Sequence, residues 1–454
     1  MKHQFQYQNK LMKSKSLIII MILSCFASMN MKSQVTAGPS AGQPADSLSL
    51  KSIISEIINM HPSVKGAEEA LKAADSRIGL ARSGYYPTVD MAASYSNIGP
   101  VIQLTFPGLG TFQLYPANNY EAAVNFKQTI YDFGRTRQST EIENENKVYG
   151  ELAVEQVKQK ISLAAINNFF TLAFLQDAIL IKDEELSNLN AHLKFVQIRR
   201  STGSSTDYEL LTTQVRISTV ESQKVDLQTA LKVQQSYLNS LLGLPENSAP
   251  VVKKELVTTG PDISTDSLYN YAYRNRNEML MNDKAKSIAQ LKYDLTRTLN
   301  KPYLGFMASG GAKNGYLPDL NTIKMDYVLG VGLSVPIFDA NKTKYNLQQA
   351  RVAINSLNYE TESTKRSIST EVSQAEAYVT SAQQKVKQFE LQLVQAEKAY
   401  SLAEVSFKAG TITNLDLLDS STSVSQSRLL LLQARIDYAA SLYRLKAALG
   451  EKLY

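Results

Sequence analysis

The 454-residue chain predicts a mainly α-helical fold that carries a small amount of membrane β-structure, built from a duplicated helix–hairpin–helix–helix unit. Three observations predict it. Gly203-Ser204-Ser205-Thr206-Asp207-Tyr208-Glu209-Leu210-Leu211 recurs as Gly410-Thr411-Ile412-Thr413-Asn414-Leu415-Asp416-Leu417-Leu418, offset by 207 residues. The same offset carries Ile130-Tyr131-Asp132 onto Ile337-Phe338-Asp339 and Leu242-Gly243 onto Leu449-Gly450, and an offset that stays in register over such a span indicates a duplicated unit. Each half also holds a long run without proline and two short segments of alternating hydropathy.

Residues 1–34 read as a targeting segment outside the fold. Lys2, Lys10, Lys13 and Lys15 precede the apolar stretch Leu17 to Leu23, and Ser24, Ala27 and Ser28 supply small residues for cleavage. Ile22-Leu23-Ser24-Cys25 also resembles a lipobox, which makes Cys25 a candidate lipidation site. Leu23 and Phe26 depart from the usual pattern, so acylation and simple cleavage both stay open. Without this segment, 43 basic residues face 42 acidic ones. The basic balance thus belongs to the signal, and nucleic-acid binding has no electrostatic footprint.

The first repeat, 48–243, opens with a helix expected over about 48–83. After Pro87, Val89, Met91, Ala93 and Tyr95 alternate with Thr88, Asp90, Ala92 and Ser94. Tyr120, Ala122, Val124 and Phe126 alternate with Glu121, Ala123, Asn125 and Lys127. Period-2 segments of about ten residues suit membrane β-barrel strands, although a half-buried soluble hairpin has the same alternation. From Gly134 to Gly203 the chain has no proline and only Gly150 inside, and Ala, Leu, Gln, Glu and Lys dominate. A helix of roughly 65–70 residues would be about 100 Å long. Its apolar stretch Ile161 to Leu175 is interrupted by Asn167 and Asn168, which favours burial between helices over a membrane span. Gly203 ends this helix, and Thr206-x-x-Glu209 reads as a capping box opening the next, about 206–242.

A linker, 244–263, leads to the second repeat, 264–452, with helices expected over about 264–300, in the run free of proline and glycine between Pro336 and Gly410, and over about 414–449. Leu304, Phe306 and Ala308 share one strand face. Met325, Tyr327, Leu329, Val331, Leu333 and Val335 alternate with Asp326, Val328, Gly330, Gly332, Ser334 and Pro336. Thr413-x-x-Asp416 repeats the capping box. Pro87 pairs with Pro302 at an offset of 215, so the first hairpin is longer, in the Gly- and Pro-rich loop from Gly99 to Pro116.

Four strands cannot enclose an interior, and open edges cannot sit in lipid. A membrane version therefore requires several chains to share one barrel. Cys25 is the sole cysteine, and His61 and His192 have no second histidine or cysteine at ligand spacing, so no disulfide or thiolate metal site is expected. Each of those histidines reads as a solvated or packed helix residue. No phosphate loop, dinucleotide fingerprint, nucleophile elbow or zinc-protease motif occurs, so neither an enzyme nor a cofactor is expected.

At this point the chain resembles the TolC-type outer-membrane efflux proteins. The resemblance rests on Phe407-Lys408-Ala409-Gly410-Thr411 with Asn414-Leu415-Asp416-Leu417-Leu418-Asp419, and on Arg200-Ser201-Thr202-Gly203 with Leu210-Leu211. Tyr86-Pro87, Ile130-Tyr131-Asp132-Phe133-Gly134, Pro336-Ile337-Phe338-Asp339 and Leu449-Gly450 complete it, over essentially residues 48–452. It implies a homotrimer whose four strands per chain make a 12-stranded β-barrel in outer-membrane lipid, continuous with a long α-helical barrel crossing the periplasm. It also implies a periplasmic adaptor (a membrane fusion protein) docked on the turns at Gly203, Ser204, Gly410 and Thr411, and an inner-membrane transporter of the RND type. The activity would be passive conduction.

In that family the periplasmic end is an iris held by polar links and lined by acidic rings. Carried over by position, the aperture residues are Asp419, Asp416, Glu209, Phe407 and Ile412. Phe407 stands where a tyrosine is common, and Ile412 where a linking arginine can lie, so the closed state must be held differently or less tightly. Glu209 and Asp416 already serve as expected helix caps, whereas Asp419 has no such duty. Glu121, Asn125, Lys127 and Asp326 would face the lumen, with Val89, Tyr95, Phe126, Tyr327 and Leu333 toward lipid. A duct for secreted proteins or peptides, of the type I kind, fits the same chain. A secreted coiled-coil scaffold explains the helices and signal but not the repeated strand alternation; it would be soluble without detergent.

Overall fold

The structure, a computed structural model, describes residues 48–108, 110–253 and 265–454. The targeting segment with Cys25, and residues 254–264 at the end of the linker and start of the second repeat, lie outside the described residues. In chain order the first half contains α1 (Leu50–Met60), α2 (Pro62–Ser83), β1 (Thr88–Asn97), β2 (Gln103–Phe106), β3 (Gly110–Gln113), β4 (Asn118–Tyr131), α3 (Arg135–Ser201) and α4 (Asp207–Leu242). The second half contains α5 (Thr265–Asn275), α6 (Asn277–Thr298), β5 (Tyr303–Lys313), β6 (Lys324–Ser334), α7 (Lys342–Lys408) and α8 (Asn414–Leu449).

The two long helices are 67 residues each, and the helices that follow the turns are 36 residues each. At 1.5 Å per residue, α3 and α7 are each about 100 Å long.

The helices expected over 48–83 and 264–300 are each broken in two. His61 is extended at ψ 130°, Pro62 follows at the first helical position, and His61 Nδ1 accepts the Ser63 amide at 3.2 Å. Proline has no amide to donate there, so the break needs no further support. The second break, at Arg276 with ψ 128°, has no proline. Its side chain holds it instead, pairing with Glu278 at 2.9 Å and Glu371 at 2.8 Å and donating to the Ala448 carbonyl at 3.3 Å.

β1, β4, β5 and β6 form one antiparallel sheet in that order. Among the described residues, β1 and β6 each keep an unpaired edge. The register puts Glu121, Asn125, Lys127, Asp90 and Asp326 on one face. Val89, Tyr95, Phe126, Tyr327 and Leu333 lie on the other. Asn125 donates to Asp90 at 3.0 Å, and Lys313 pairs with Asp326 at 3.3 Å on the first face. Inside the loop from Gly99 to Pro116, which carried no strand expectation, β2 and β3 pair as a second hairpin.

Each strand-to-helix corner uses an aspartate. Phe133 and Gly134 have φ of 56° and 85°, and Ala340 and Asn341 have 52° and 64°. These left-handed residues turn the chain sharply enough for Asp132 to accept the Thr136 amide at 2.8 Å and hydroxyl at 2.6 Å. Asp339 accepts the Thr343 amide at 2.9 Å and hydroxyl at 2.5 Å. Each carboxylate thereby satisfies an otherwise orphaned first-turn amide.

Helix neighbours define a ribbon four helices wide. Beside the sheet the order is α2–α3–α6–α7, and toward the turns it is α4–α3–α8–α7. The main core, with Ile53, Ile57, Ile166, Phe169, Leu172 and Leu238 fully buried, lies where α1, α3, α4 and α8 meet. It contains the apolar stretch of α3, whose polar interruption Asn168 donates to Gln234 at 2.8 Å.

Candidate aperture at the helix turns

Both long helices end alike. Gly203 and Gly410 have φ of 76° and 73°, a conformation that costs glycine little. Ser204 donates its amide to Arg199 at 2.8 Å, and Thr411 to Ser406 at 3.0 Å, each closing the last helical turn. Gly203, Ser204, Gly410 and Thr411 are all exposed there.

The second turn contains the full reciprocal cap. Thr413 Oγ1 accepts the Asp416 amide at 3.2 Å, and Asp416 accepts the Thr413 amide at 2.9 Å. The Thr413 hydroxyl, followed by that amide, holds the Asp416 carboxyl below its ordinary range. The first turn makes only half of the expected box. Thr206 Oγ1 accepts the Glu209 amide at 3.2 Å, but the Glu209 carboxylate accepts the Ser205 hydroxyl at 2.5 Å instead of reaching back. A hydroxyl immediately upstream offers a shorter path than the cap amide.

Phe407 lies in the last turn of α7. It is buried between α3 and α7, its ring 5.4 Å from His192, 6.2 Å from Phe195 and 5.3 Å from the Arg199 guanidinium. The position where a hydroxyl link is common thus carries an aromatic and cation–π contact within one chain. Ile412 is half-buried on the turn.

Asn414, which carried no sequence-based role, ties the two turns together. It is buried, its Oδ1 lies 2.6 Å from His192 Nε2, and its Nδ2 donates to the Glu209 carbonyl and the Thr213 hydroxyl at 3.2 Å each. His192 is therefore a packed helix residue that forms part of a join between repeats. Asp419 is exposed and free of capping duty, yet it is not alone: Arg216 of α4 pairs with it at 2.7 Å. Further ties join the helices above, from Arg428 to Glu184 and Glu397, and from Glu185, itself paired with Lys182 on α3, to Ser425. The partners of Asp419, Asn414 and Phe407 lie in the other repeat, about 200 residues away, where no local spacing could have marked them.

This end of the molecule can therefore hold two helix pairs together through weak, breakable contacts, with exposed carboxylates at Asp416 and Asp419. Among the described residues, no group of three His, Cys, Asp or Glu side chains could hold a metal ion.

The chain is 21% identical over 387 residues to outer membrane protein TolC of Vibrio cholerae, covering 83% of this chain and 85% of that one. It is 21% identical over 340 residues to alkaline protease secretion protein AprF of Pseudomonas aeruginosa, covering 73% and 70%. Its fold matches the outer membrane protein VceC of Vibrio cholerae at a TM-score of 0.74 with 20% identity, covering 89% and 97% of the two chains. The family described as outer membrane efflux protein matches residues 53–244 and 268–451, most of the chain, and this protein belongs to that family of TolC-like outer-membrane efflux channels.

Proposed function

We propose that three copies of this chain close into one duct through the outer membrane and periplasm, passively conducting small molecules that partner proteins deliver. Outer-membrane channels of this family form trimers and work with partners in efflux systems. The observation that carries the reading is the pair of open flanks. β1 and β6 keep free edges that lipid cannot satisfy, and three four-stranded sheets give a barrel of twelve strands. The helix ribbon is open in the same sense. Leu80, Val225 and Val233 on α2 and α4, and Val352, Leu391 and Leu402 on α7, are exposed. Burying them supports packing of α7 against the next copy's α2 and α4.

In this duct Glu121, Asn125, Lys127 and Asp326 face the lumen, and the Val89–Tyr327 face meets lipid. The exposed turns at Gly203, Ser204, Gly410 and Thr411 receive a periplasmic adaptor, and an RND-type inner-membrane transporter supplies the energy. Asp419 lines the aperture, paired with Arg216 at rest. The likeness to AprF supports a second reading, a duct for secreted protein. The first reading is tested by photo-cross-linking from Ser204 and Thr411 in cells. A cross-linked adaptor co-purifying with an RND transporter is the expected result; an ATP-driven secretion partner instead would favour the second.

A further inference from the structure

Between Asp90 and Glu121 the chain carries no charged residue, and the β2–β3 hairpin lies within this stretch. Its register sets Leu104 opposite Phe112, Phe106 opposite Gly110, Gln103 opposite Gln113 and Thr105 opposite Thr111. The Leu114 amide donates to the Ile102 carbonyl at 3.4 Å, extending the ladder by one pair. Side chains alternate across a strand. One face is therefore Ile102, Leu104, Phe106, Phe112 and Leu114, and the other is Gln103, Thr105, Thr111 and Gln113. The Phe106 and Phe112 rings lie 6.1 Å apart, and the two threonine hydroxyls bond at 2.9 Å on the opposite side. All five apolar residues are between 42% and 54% exposed. A two-stranded hairpin is marginal alone in water, so this face needs a cover.

The connection to the sheet contains a joint. β1 and β4 pair up to Asn97 and Asn118, and the Ile98 amide donates to the Ala117 carbonyl at 2.8 Å. The ladder resumes at Ile102 and Leu114, with residues 99–101 set against only 115 and 116. The extra residue sits on the β1–β2 side, as in a bulge. The chain bends at Leu114, Tyr115 and Ala117 between β3 and β4, so the hairpin is jointed to the sheet and does not continue it straight. The Tyr95 and Tyr120 rings, tilted and 5.2 Å apart, and then Asn97 and Asn118 separate the two apolar zones. About ten tilted residues already span the hydrocarbon, so the hairpin begins above it.

We propose that the β2–β3 hairpin turns outward at the joint containing Pro100 and Pro116 and rests on the outer-leaflet lipid surface around the barrel. Its apolar face is then its lower face, sunk among lipid headgroups and upper acyl chains, while the Gln and Thr face meets water. With no charge in the segment, nothing ionic must be desolvated, and a phenylalanine-bearing amphipathic face is the kind that binds an interface. The inference rests on the assignment of the Val89–Tyr327 face to lipid.

The chain has no tryptophan, so single substitutions report alone. Full-length protein carrying Phe112→Trp, Leu104→Trp, Thr111→Trp or Tyr327→Trp is reconstituted in phosphatidylcholine vesicles with or without acyl chains brominated near the headgroup. The expected result is blue-shifted emission for F112W and L104W that brominated lipid quenches nearly as strongly as Y327W, with T111W red-shifted and unquenched. If F112W alone fails to assemble, L104W on the paired strand carries the same reading. Quenching of Y327W without quenching of F112W and L104W overturns the hairpin proposal alone. Blue-shifted but unquenched emission there would mean that another copy's tip covers the face. No quenching of Y327W overturns the face assignment, and this inference with it.

Discussion

Asp419 shows what a single residue contributes and what the sequence concealed. Its exposure and freedom from capping follow from its place one helical turn past Asp416, but its pairing with Arg216 does not. A ring of three carboxylates favours cations, and a paired arginine weakens that preference. Asp419→Asn should therefore reduce cation selectivity and multivalent-cation block in planar bilayers, and Arg216→Gln should increase both. Unchanged selectivity in both variants would remove the pair from the aperture. Phe407→Ala removes the ring that joins His192, Phe195 and Arg199, so it should raise the open probability of the reconstituted channel; unaltered gating would assign the cluster to packing alone. At the corners, the Thr343 hydroxyl and amide hold Asp339 below its ordinary range, as the Thr413 hydroxyl and amide hold Asp416. A carboxyl depressed in the folded state stabilises above its unfolded value and loses that contribution as pH falls through the folded one. Thermal stability should accordingly fall below about pH 4, the unfolded aspartate range, and less steeply in Asp339→Asn than in the parent. Melting curves across pH 2 to 6 check the sign.

At the scale of elements, alternation and helix-forming composition made most of the architecture legible. The long helices, their glycine ends and the four sheet strands are local patterns, and such patterns survive in sequence. The break at His61 was legible too, since Pro62 marks it, but the break at Arg276 depends on Glu371 and Ala448 far along the chain. β2 and β3 hid among Gly and Pro because four-residue strands give alternation too few positions to register. Sheet register also yields a test. Leu329 shares a face with Tyr327 and Phe126 across the ladder, while Gly330 opposes Met307 on the other. Leu329→Arg should cost about 2–4 kcal/mol if its face meets mid-membrane lipid, and Gly330→Ser much less. Folding titrations into vesicles measure both, and equal tolerance would reverse the faces.

The whole molecule is incomplete until it closes. One chain supplies a sheet and a helix ribbon, each open on both flanks, and only further copies can satisfy those edges. The duplication explains why helix lengths agree in the two halves: 67 with 67 and 36 with 36 residues make walls of equal height. The mismatches, Asp419 against Thr212 and Asn414 against Asp207, lie at the turns, where opening would be controlled. The most direct measurement is single-channel conductance of protein extracted from outer membranes, with chemical cross-linking of the same sample. The expected result is a detergent-dependent trimer that forms discrete conducting pores. A protein soluble without detergent, cross-linking only as a monomer and silent in the bilayer, would contradict it.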